Sequence, residues 1–357
     1  MTMIRKTLFA AALTLSSLSM TAQTEVEPFV PGSTLEGICY YLPKTALRVT
    51  ITARKAITYP GDFCQYAFHY MRLKDVPEDV STLWNIESIK MEPYGTPDKE
   101  KAYSIKLRSK TVAPLVGLSR DGILLSINTD AQEETLPELP KGEAPTPRLN
   151  PREFMTQEIL SAGSERKMAE LCAQEIYDMR ESRNALVRGE AENTPKDGAQ
   201  LKLMLEQLDQ QATALESLFK GSEQTSTEVF SFSFVPNQEC EQQILFRFSP
   251  KLGLVDEDDL AGAPVFVSVK NMESLPAAQP NEQTDKKKEK MEKGVYYNVP
   301  SQTKITIFTP EKEYATLETP MGQFGTVEIL SSLLFDKKTT TQVTFFQSTG
   351  GAKDIME

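Results

Sequence analysis

The sequence predicts an α+β protein: two mostly antiparallel, sandwich-like β-rich regions separated by an antiparallel αα-hairpin. Two observations carry this. Runs that alternate apolar and polar residues, such as Leu47 to Thr52 and Val229 to Phe234, lie on both sides of residues 150–221. Within 150–221 the apolar spacing changes to three and four, the repeat that places side chains on one helix face. Two stretches punctuate the rest: 133–149 is proline-rich, and 281–293 is charged and lacks large aliphatics. The organisation that follows is a leader at 1–22, β-rich regions at 23–132, 222–280 and 294–357, linkers at 133–149 and 281–293, and the hairpin at 150–221. With 357 residues, 39% hydrophobic and 25% charged, the chain can bury a sizeable core.

The first residues read as a secretory signal peptide. Arg5 and Lys6 precede a 12-residue apolar run, Thr7 to Leu18, and small residues lead to Ala22. That run is too short to span a bilayer, and no later run is long enough to do so. No cysteine follows it that could carry a lipid. Without Arg5 and Lys6, 37 basic residues stand against 50 acidic ones, a net charge of −13. An acidic exported chain is a poor match for nucleic acid.

The N-terminal region opens with Gly37 to Pro43 and the strand Leu47–Thr52, whose Leu47, Val49 and Ile51 share one face. Tyr59-Pro60-Gly61-Asp62 is a turn. Phe63 to Met71 fits either a strand or a short helix. Further strands are expected at Trp84–Ile89, Tyr103–Leu107 and Ile123–Ile127, the last entered through the turn Arg120-Asp121-Gly122. Five prolines between Glu133 and Pro151 make that stretch a linker or exposed loop.

Asn150-Pro151-Arg152-Glu153 is a helix start: Asn caps, Pro fits the first position, and the acid complements the positive end. Gly163 interrupts this helix. Beyond it Met168, Leu171, Cys172, Ile176, Met179 and Leu186 form one stripe, and Gly189 closes it. A second stripe, Leu201, Leu205, Leu208, Ala212, Leu215 and Phe219, runs to Gly221. Helices over 164–188 and 199–220 would be about 37 and 33 Å long. Joined by the turn at Thr194–Gly198, they make an antiparallel pair expected to brace the β regions. The C-terminal region offers strands near Val229–Phe234, Ile244–Phe248, Pro264–Val269, Ile305–Ile307, Val327–Leu330 and Thr341–Phe346. It also offers a turn or bulge at Met321–Gly325. Gly294 to Pro300 echoes Gly37 to Pro43, and Thr303, Ile305 and Ile307 then match Thr45, Leu47 and Val49. Duplication and independent use of common strand-entry chemistry explain this echo equally well.

Chemistry is sparse. Triad-type catalysis would have to use His69, the sole histidine, which sits in an aromatic stretch where a structural role is the ordinary reading. Multi-histidine metal sites are excluded by count. Ser164-Glu165-Arg166-Lys167 has the S-x-x-K form of penicillin-interacting serine enzymes, and Ser182-Arg183-Asn184 mimics the companion S-x-N. Eighteen residues of one helix would separate the two serines by about 27 Å, and no K-T-G follows, so a polar helix face is preferred. Asp256 to Asp259 clusters carboxylates as calcium sites do, but without the spacing and glycine of an EF-hand loop, so a solvated acidic turn is preferred. No phosphate-binding glycine loop occurs. Of the cysteines Cys39, Cys64, Cys172 and Cys240, the first two are the best disulfide candidates, with buried free thiols standing equally beside that pairing.

Three stretches resemble an exported Bacteroidetes family known only as a domain of unknown function. They are Gly37 to Thr45 (Gly-Ile-Cys-Tyr-Tyr-Leu-Pro-Lys-Thr), Ala162 to Glu170 continuing through Arg180–Arg183 to Gly189-Glu190, and the ending around Phe345, Thr349 and Gly350. Gly350-Gly351-Ala352 departs slightly from the family tail. The resemblance implies a signal-bearing envelope protein, periplasmic or outer-membrane-associated, with secretion as the alternative. It transfers no catalytic residue. The expected function is therefore non-catalytic binding or scaffolding in the cell envelope, with a carboxylate-based hydrolase of envelope or dietary glycans as the alternative. The expected partner is an envelope protein or a glycan. No nucleic acid, transmembrane segment or cofactor is expected, and no catalytic, cofactor-binding or metal residue is assigned.

Overall fold

The computed structural model describes residues 25–29, 37–106, 116–191, 197–275, 294–331 and 341–356. The expected leader at 1–22, the charged linker 281–293 and residues 194–196 of the interhelical turn lie outside them. In chain order, β1 (Glu25–Pro28) and β2 (Ile38–Tyr59) precede a 3-10 turn (Cys64–Tyr66) that runs into α1 (Ala67–Met71). Then come β3 (Ser81–Lys106), β4 (Val116–Leu118), β5 (Leu124–Ile127) and a 3-10 turn at Pro151–Phe154. The helices α2 (Gln157–Leu160), α3 (Glu165–Arg188) and α4 (Gly198–Lys220) follow. The chain ends with β6 (Ser222–Phe234), β7 (Cys240–Ser249), β8 (Gly253–Val255), β9 (Ala263–Asn271), β10 (Gly294–Phe308), β11 (Glu313–Ser331), β12 (Gln342–Phe345) and β13 (Ala352–Met356).

The α+β class with mostly antiparallel sheets and a helical pair is what the structure shows. The strands form three sheets, ordered β1-β3-β2-β6, β11-β10-β9-β7-β8 and β13-β12-β5-β4. The first takes strands from both sides of the hairpin in sequence, because β2 pairs with β6 from Leu47↔Phe234 to Tyr59↔Ser222. The third does the same, pairing Val343 of β12 with Ile127 of β5. Alternation drives the packing of the first two sheets. Leu47, Val49, Ile51 and Ala53 of β2 turn one way and meet Val265, Val267, Val269, Ile305 and Ile307 from the second sheet in one buried core. That is the face-to-face arrangement of a sandwich. Tyr40, Leu42 and Ile105 form a second core with Leu124, Ile127, Val343 and Phe345 of the third sheet.

The two long central strands are interrupted alike. Pairing of β2 with β3 jumps from Tyr41↔Ala102 to Pro43↔Pro97, and pairing of β10 with β11 jumps from Val299↔Thr326 to Ser301↔Met321. In each case a proline of the central strand has no N–H for the ladder, and the partner strand bows out. The echo between Gly37–Pro43 and Gly294–Pro300 therefore has a physical counterpart. Thr45, Leu47 and Val49, like Thr303, Ile305 and Ile307, are fully buried.

The helices pack otherwise than expected. They do not brace the β regions: Phe63, Ala67, Met71, Ile159, Cys172, Ile176, Leu215, Leu218 and Phe219 close a separate core. This module joins the end of the sandwich where β2 leaves and β6 begins. There Gly61 lies so close to the Leu218 carbonyl that a side chain would not fit, and the Phe63 N–H donates to that carbonyl at 2.6 Å. The aromatic stretch Phe63–Met71 resolves as helix because its burial serves this core. Asn150 does cap a helix, accepting from the Arg152 N–H at 3.2 Å, but only a single 3-10 turn. Thr156 caps α2, and Ser164 caps the 24-residue α3, which ends at Gly189 in the left-handed region.

The proline-rich stretch is a strap along the sandwich. The Thr146 N–H donates to the Thr225 carbonyl at 2.9 Å, and the Thr227 N–H donates to the Glu143 carbonyl at 3.2 Å. Arg148 lies over the Tyr59 ring at 3.8 Å. One flank of β6 is thereby covered over Ser222–Thr227, as edge strands of natural sheets commonly are.

The pairing of Cys39 with Cys64 is not formed, and all four cysteines are free. Cys39 opens β2 and Cys64 follows its end, so a 22-residue strand stands between them. Extended, that is about 70 Å of chain, far beyond disulfide reach.

Candidate functional site

The helical module holds the chemistry-bearing surface of the molecule. Its sequence logic is local. Three successive caps, Asn150, Thr156 and Ser164, end one turn and start the next, so the chain zigzags across the base of α3 and α4. Between these turns and the start of α1 lies an open pocket of about 590 Å³. Phe63, Met155 and Met168 supply its apolar wall; Asp62, Arg152 and Glu165 supply charge. Glu165 accepts from Gln65 Nε2 at 2.8 Å, which ties α3 to the turn before α1.

Helices α1 and α3 also carry exposed aromatic rings with cations set against them. Phe68 is 54% exposed and Tyr177 44%. Arg72 and Lys74 approach the Phe68 ring at 5.8 and 6.0 Å, and Arg180 approaches Tyr177 at 5.4 Å. Tyr177 Oη donates to the Tyr70 carbonyl at 3.2 Å, fixing α1 against α3. Arg72 and Lys74 about the exposed Phe68 ring offer a ligand an aromatic surface rimmed with positive charge, whereas Arg180 at Tyr177 is also engaged by Glu216. Farther along the hairpin the apolar stripe thins: Leu201, Leu205 and Leu208 are only half-buried, and Val187 and Leu203 are exposed. Ion pairs link the two helices along their length, with Arg180 on Glu216 at 2.8 Å and Arg183 on Asp209 at 2.7 Å. Burial raises the Glu216 carboxyl, but hydrogen bonds from Lys220 and Arg180 outweigh it and hold the group below its ordinary range.

The residues weighed from the sequence are scattered. His69 is exposed on α1 and rests against Tyr70, ring centroids 4.6 Å apart, with no hydrogen-bonded serine, cysteine or carboxylate among the described residues. The S-x-x-K motif is a helix start: Ser164 Oγ accepts from the backbone N–H of Lys167 at 3.3 Å, while Lys167 Nζ turns to Glu170 at 3.2 Å. Ser182 and Asn184 are exposed farther along α3. Asp256 to Asp259 form the turn between β8 and β9. There Asp259 Oδ1 accepts from Ala261 at 2.8 Å, and Arg247 Nε donates to the Glu257 carbonyl at 2.6 Å. Among the described residues, no three His, Cys, Asp or Glu side chains gather as a metal set.

A buried polar knot went unread in the sequence. Thr45 Oγ1 donates to the Ser348 carbonyl at 2.8 Å and accepts from the Gly322 N–H at 3.2 Å. Gln323 spans the sheets, accepting from the Thr45 N–H at 2.9 Å and donating to the Thr45 and Pro236 carbonyls at 2.9 and 3.0 Å. Asn298 Nδ2 donates to the carbonyls of Pro43 and Thr349 at 3.0 and 2.8 Å. Two family-like stretches, Gly37–Thr45 and Phe345–Gly350, thus meet at one place. Their residues satisfy backbone groups left open by the proline bulges, which is a structural duty. The sequence signal was the glycine-flanked Gln323 inside an expected turn.

Helices able to cross a membrane are absent from the described residues: none is long and apolar enough. A family model described as "Domain of unknown function (DUF4831)" matches residues 36–353. No curated protein and no solved structure matches the chain.

Proposed function

Since the chain belongs to the DUF4831 family, whose function is unknown, we propose that it is an exported Bacteroidetes protein that binds or scaffolds in the cell envelope without catalysis. Residues 1–22 would direct it to the periplasm or the outer membrane. The helical module is its partner-facing arm, and the partner is an envelope protein, with a glycan as the other class. One observation carries this reading. A module with a closed core of its own keeps Phe68 and Tyr177 exposed beneath Arg72, Lys74 and Arg180. Exposed aromatic and arginine side chains are the groups that dominate recognition surfaces. The test is cross-linking in the native envelope followed by recovery of the chain. The wild type is expected to retain a reproducible partner that Phe68→Glu loses. Recovery of no reproducible partner, or one indifferent to Phe68→Glu, would reject the arm.

The hydrolase alternative has one observation in its favour, the carboxylates of Asp62 and Glu165 in the open pocket. Glycan turnover by the purified chain that vanishes in both Asp62→Asn and Glu165→Gln would establish it in place of the binding reading.

A further inference from the structure

The free flank of β6 has a self-complementary segment. The bonds from Thr225 and Thr227 to the strap show that odd-numbered residues of β6 aim their backbone groups away from β2. The β2–β6 register runs without a bulge, so this parity continues to the strand's end. Val229, Ser231 and Ser233 therefore point N–H and C=O outward where the strap has already crossed away. The strap's Pro137 carbonyl accepts from Arg48 Nη2, which belongs to the neighbouring strand. No described residue bonds the outward groups of these three.

That segment, Val229-Phe-Ser-Phe-Ser-Phe234, has strong strand propensity and carries no charge, proline or glycine, the features that normally guard an open edge. Ser231 and Ser233 are exposed. Phe230, Phe232 and Phe234 face the core yet are only half-buried, because the sandwich is open on this side. The nearest acid, Glu228, is matched by Lys55 at 3.8 Å.

We propose that the chain pairs with a second copy of itself through β6, about a two-fold axis at Ser231. An antiparallel partner centred there sets Ser231 opposite Ser231 and Val229 opposite Ser233. Each outward backbone group then meets an outward group, and the phenylalanines of both copies fall on the same face. The ladder comprises about six backbone hydrogen bonds and joins the two first sheets into one. The segment brings no ionisable side chain of its own to the seam, so a copy of this acidic chain can meet it without like charges set directly opposite each other. The contact is independent of the helical arm.

Sedimentation velocity of the purified full chain over a range of concentrations tests this. The wild type is expected to show a monomer–dimer equilibrium, and Ser231→Pro, which removes only an outward N–H, a monomer with an unchanged circular dichroism spectrum. Should Ser231→Pro fail to fold, Ser231→Cys decides. Opposed Cα atoms about 5.5 Å apart lie within disulfide reach, so mild oxidation should yield a covalent dimer well above the parent chain's level. Thr225→Cys, under the strap, should not. A monomeric wild type, a dimer indifferent to Ser231→Pro, or equal cross-linking at both cysteines would overturn the proposal. So would a monomer whose β6 edge instead binds a foreign strand and loses it in Ser231→Pro.

Discussion

Replacing Asn298 with alanine tests the reading of the polar knot. The side chain is fully buried, and its amide nitrogen serves two carbonyls, those of Pro43 and Thr349. Asn298→Ala removes this side-chain donor from two buried acceptors at once. A stranded buried acceptor costs about 1–3 kcal/mol, giving roughly 2–6 kcal/mol together. Asn298 Oδ1 has no hydrogen-bond partner among the described residues, and its removal returns part of that cost. We expect a net loss of about 3 kcal/mol. Trp84 is the sole tryptophan and lies buried in the sandwich core, so its fluorescence in urea reports this body of the protein. With a denaturant slope of about 3 kcal/mol per molar, the midpoint should fall by about 1 M. Asn298→Asp should be worse at neutral pH, because it sets a carboxylate against two carbonyl oxygens. A midpoint within about 0.2 M of the wild type in Asn298→Ala would refute the reasoning. So would an Asn298→Asp variant that outlasts Asn298→Ala.

Other outcomes follow from the helices and the strap. Glu216 titrates below its ordinary value of 4.5 in the folded chain, so its contribution is present above that pH and is lost as pH falls through the lower folded value. Helical circular dichroism should weaken through that window, and Glu216→Gln should flatten the dependence. Burial, with a smaller push from Glu175, raises the Cys172 thiol to about 12, so alkylation at mildly alkaline pH should label Cys172 only after denaturation. Labelling of Cys172 in the folded chain at the rate of a free thiol would show that the module's core is open. A side chain at Gly142 would collide with the Thr227 carbonyl. Gly142→Val should therefore free the strap, at about 1 kcal/mol for each of two hydrogen bonds, and speed tryptic cleavage at Lys141 roughly thirtyfold while Trp84 fluorescence stays constant.

Much of the architecture was legible where one physical rule acts alone. Leu47, Val49 and Ile51 alternate because a sheet has two faces, and the stripes of α3 and α4 recur at helical spacing because one side of each is buried. Ser164 and Gly189 mark their helix ends by chemistry that needs only neighbours in the chain. The failures share a cause. Asn150 announced a helix correctly, but the turn ends after four residues because Thr156 offers a competing cap, and local signals do not say which cap wins. The strap looked like a plain linker, since its hydrogen bonds come from β6, about 80 residues away. Gln323 and Asn298 were unreadable as a pair because their partners are set by two proline bulges and a terminal turn. The aromatic face was half visible: Phe63–Met71 showed its rings, but which of them stay in water depends on α3.

The knot also bears on when the molecule can fold. Asn298 reaches Pro43 across 255 positions, and Thr45 reaches Ser348 across 303. β2 thus begins its life beside empty places that β6, β10 and the terminal turn fill only once nearly the whole chain exists. Closure over such separations is slow, because loop entropy is lost before the contacts repay it. A chain ending before Ser348 would hold every strand but β13 and would lack the acceptor for Thr45. The turn at 346–351 acts as a clasp, and the strands stay unlocked until it has been made.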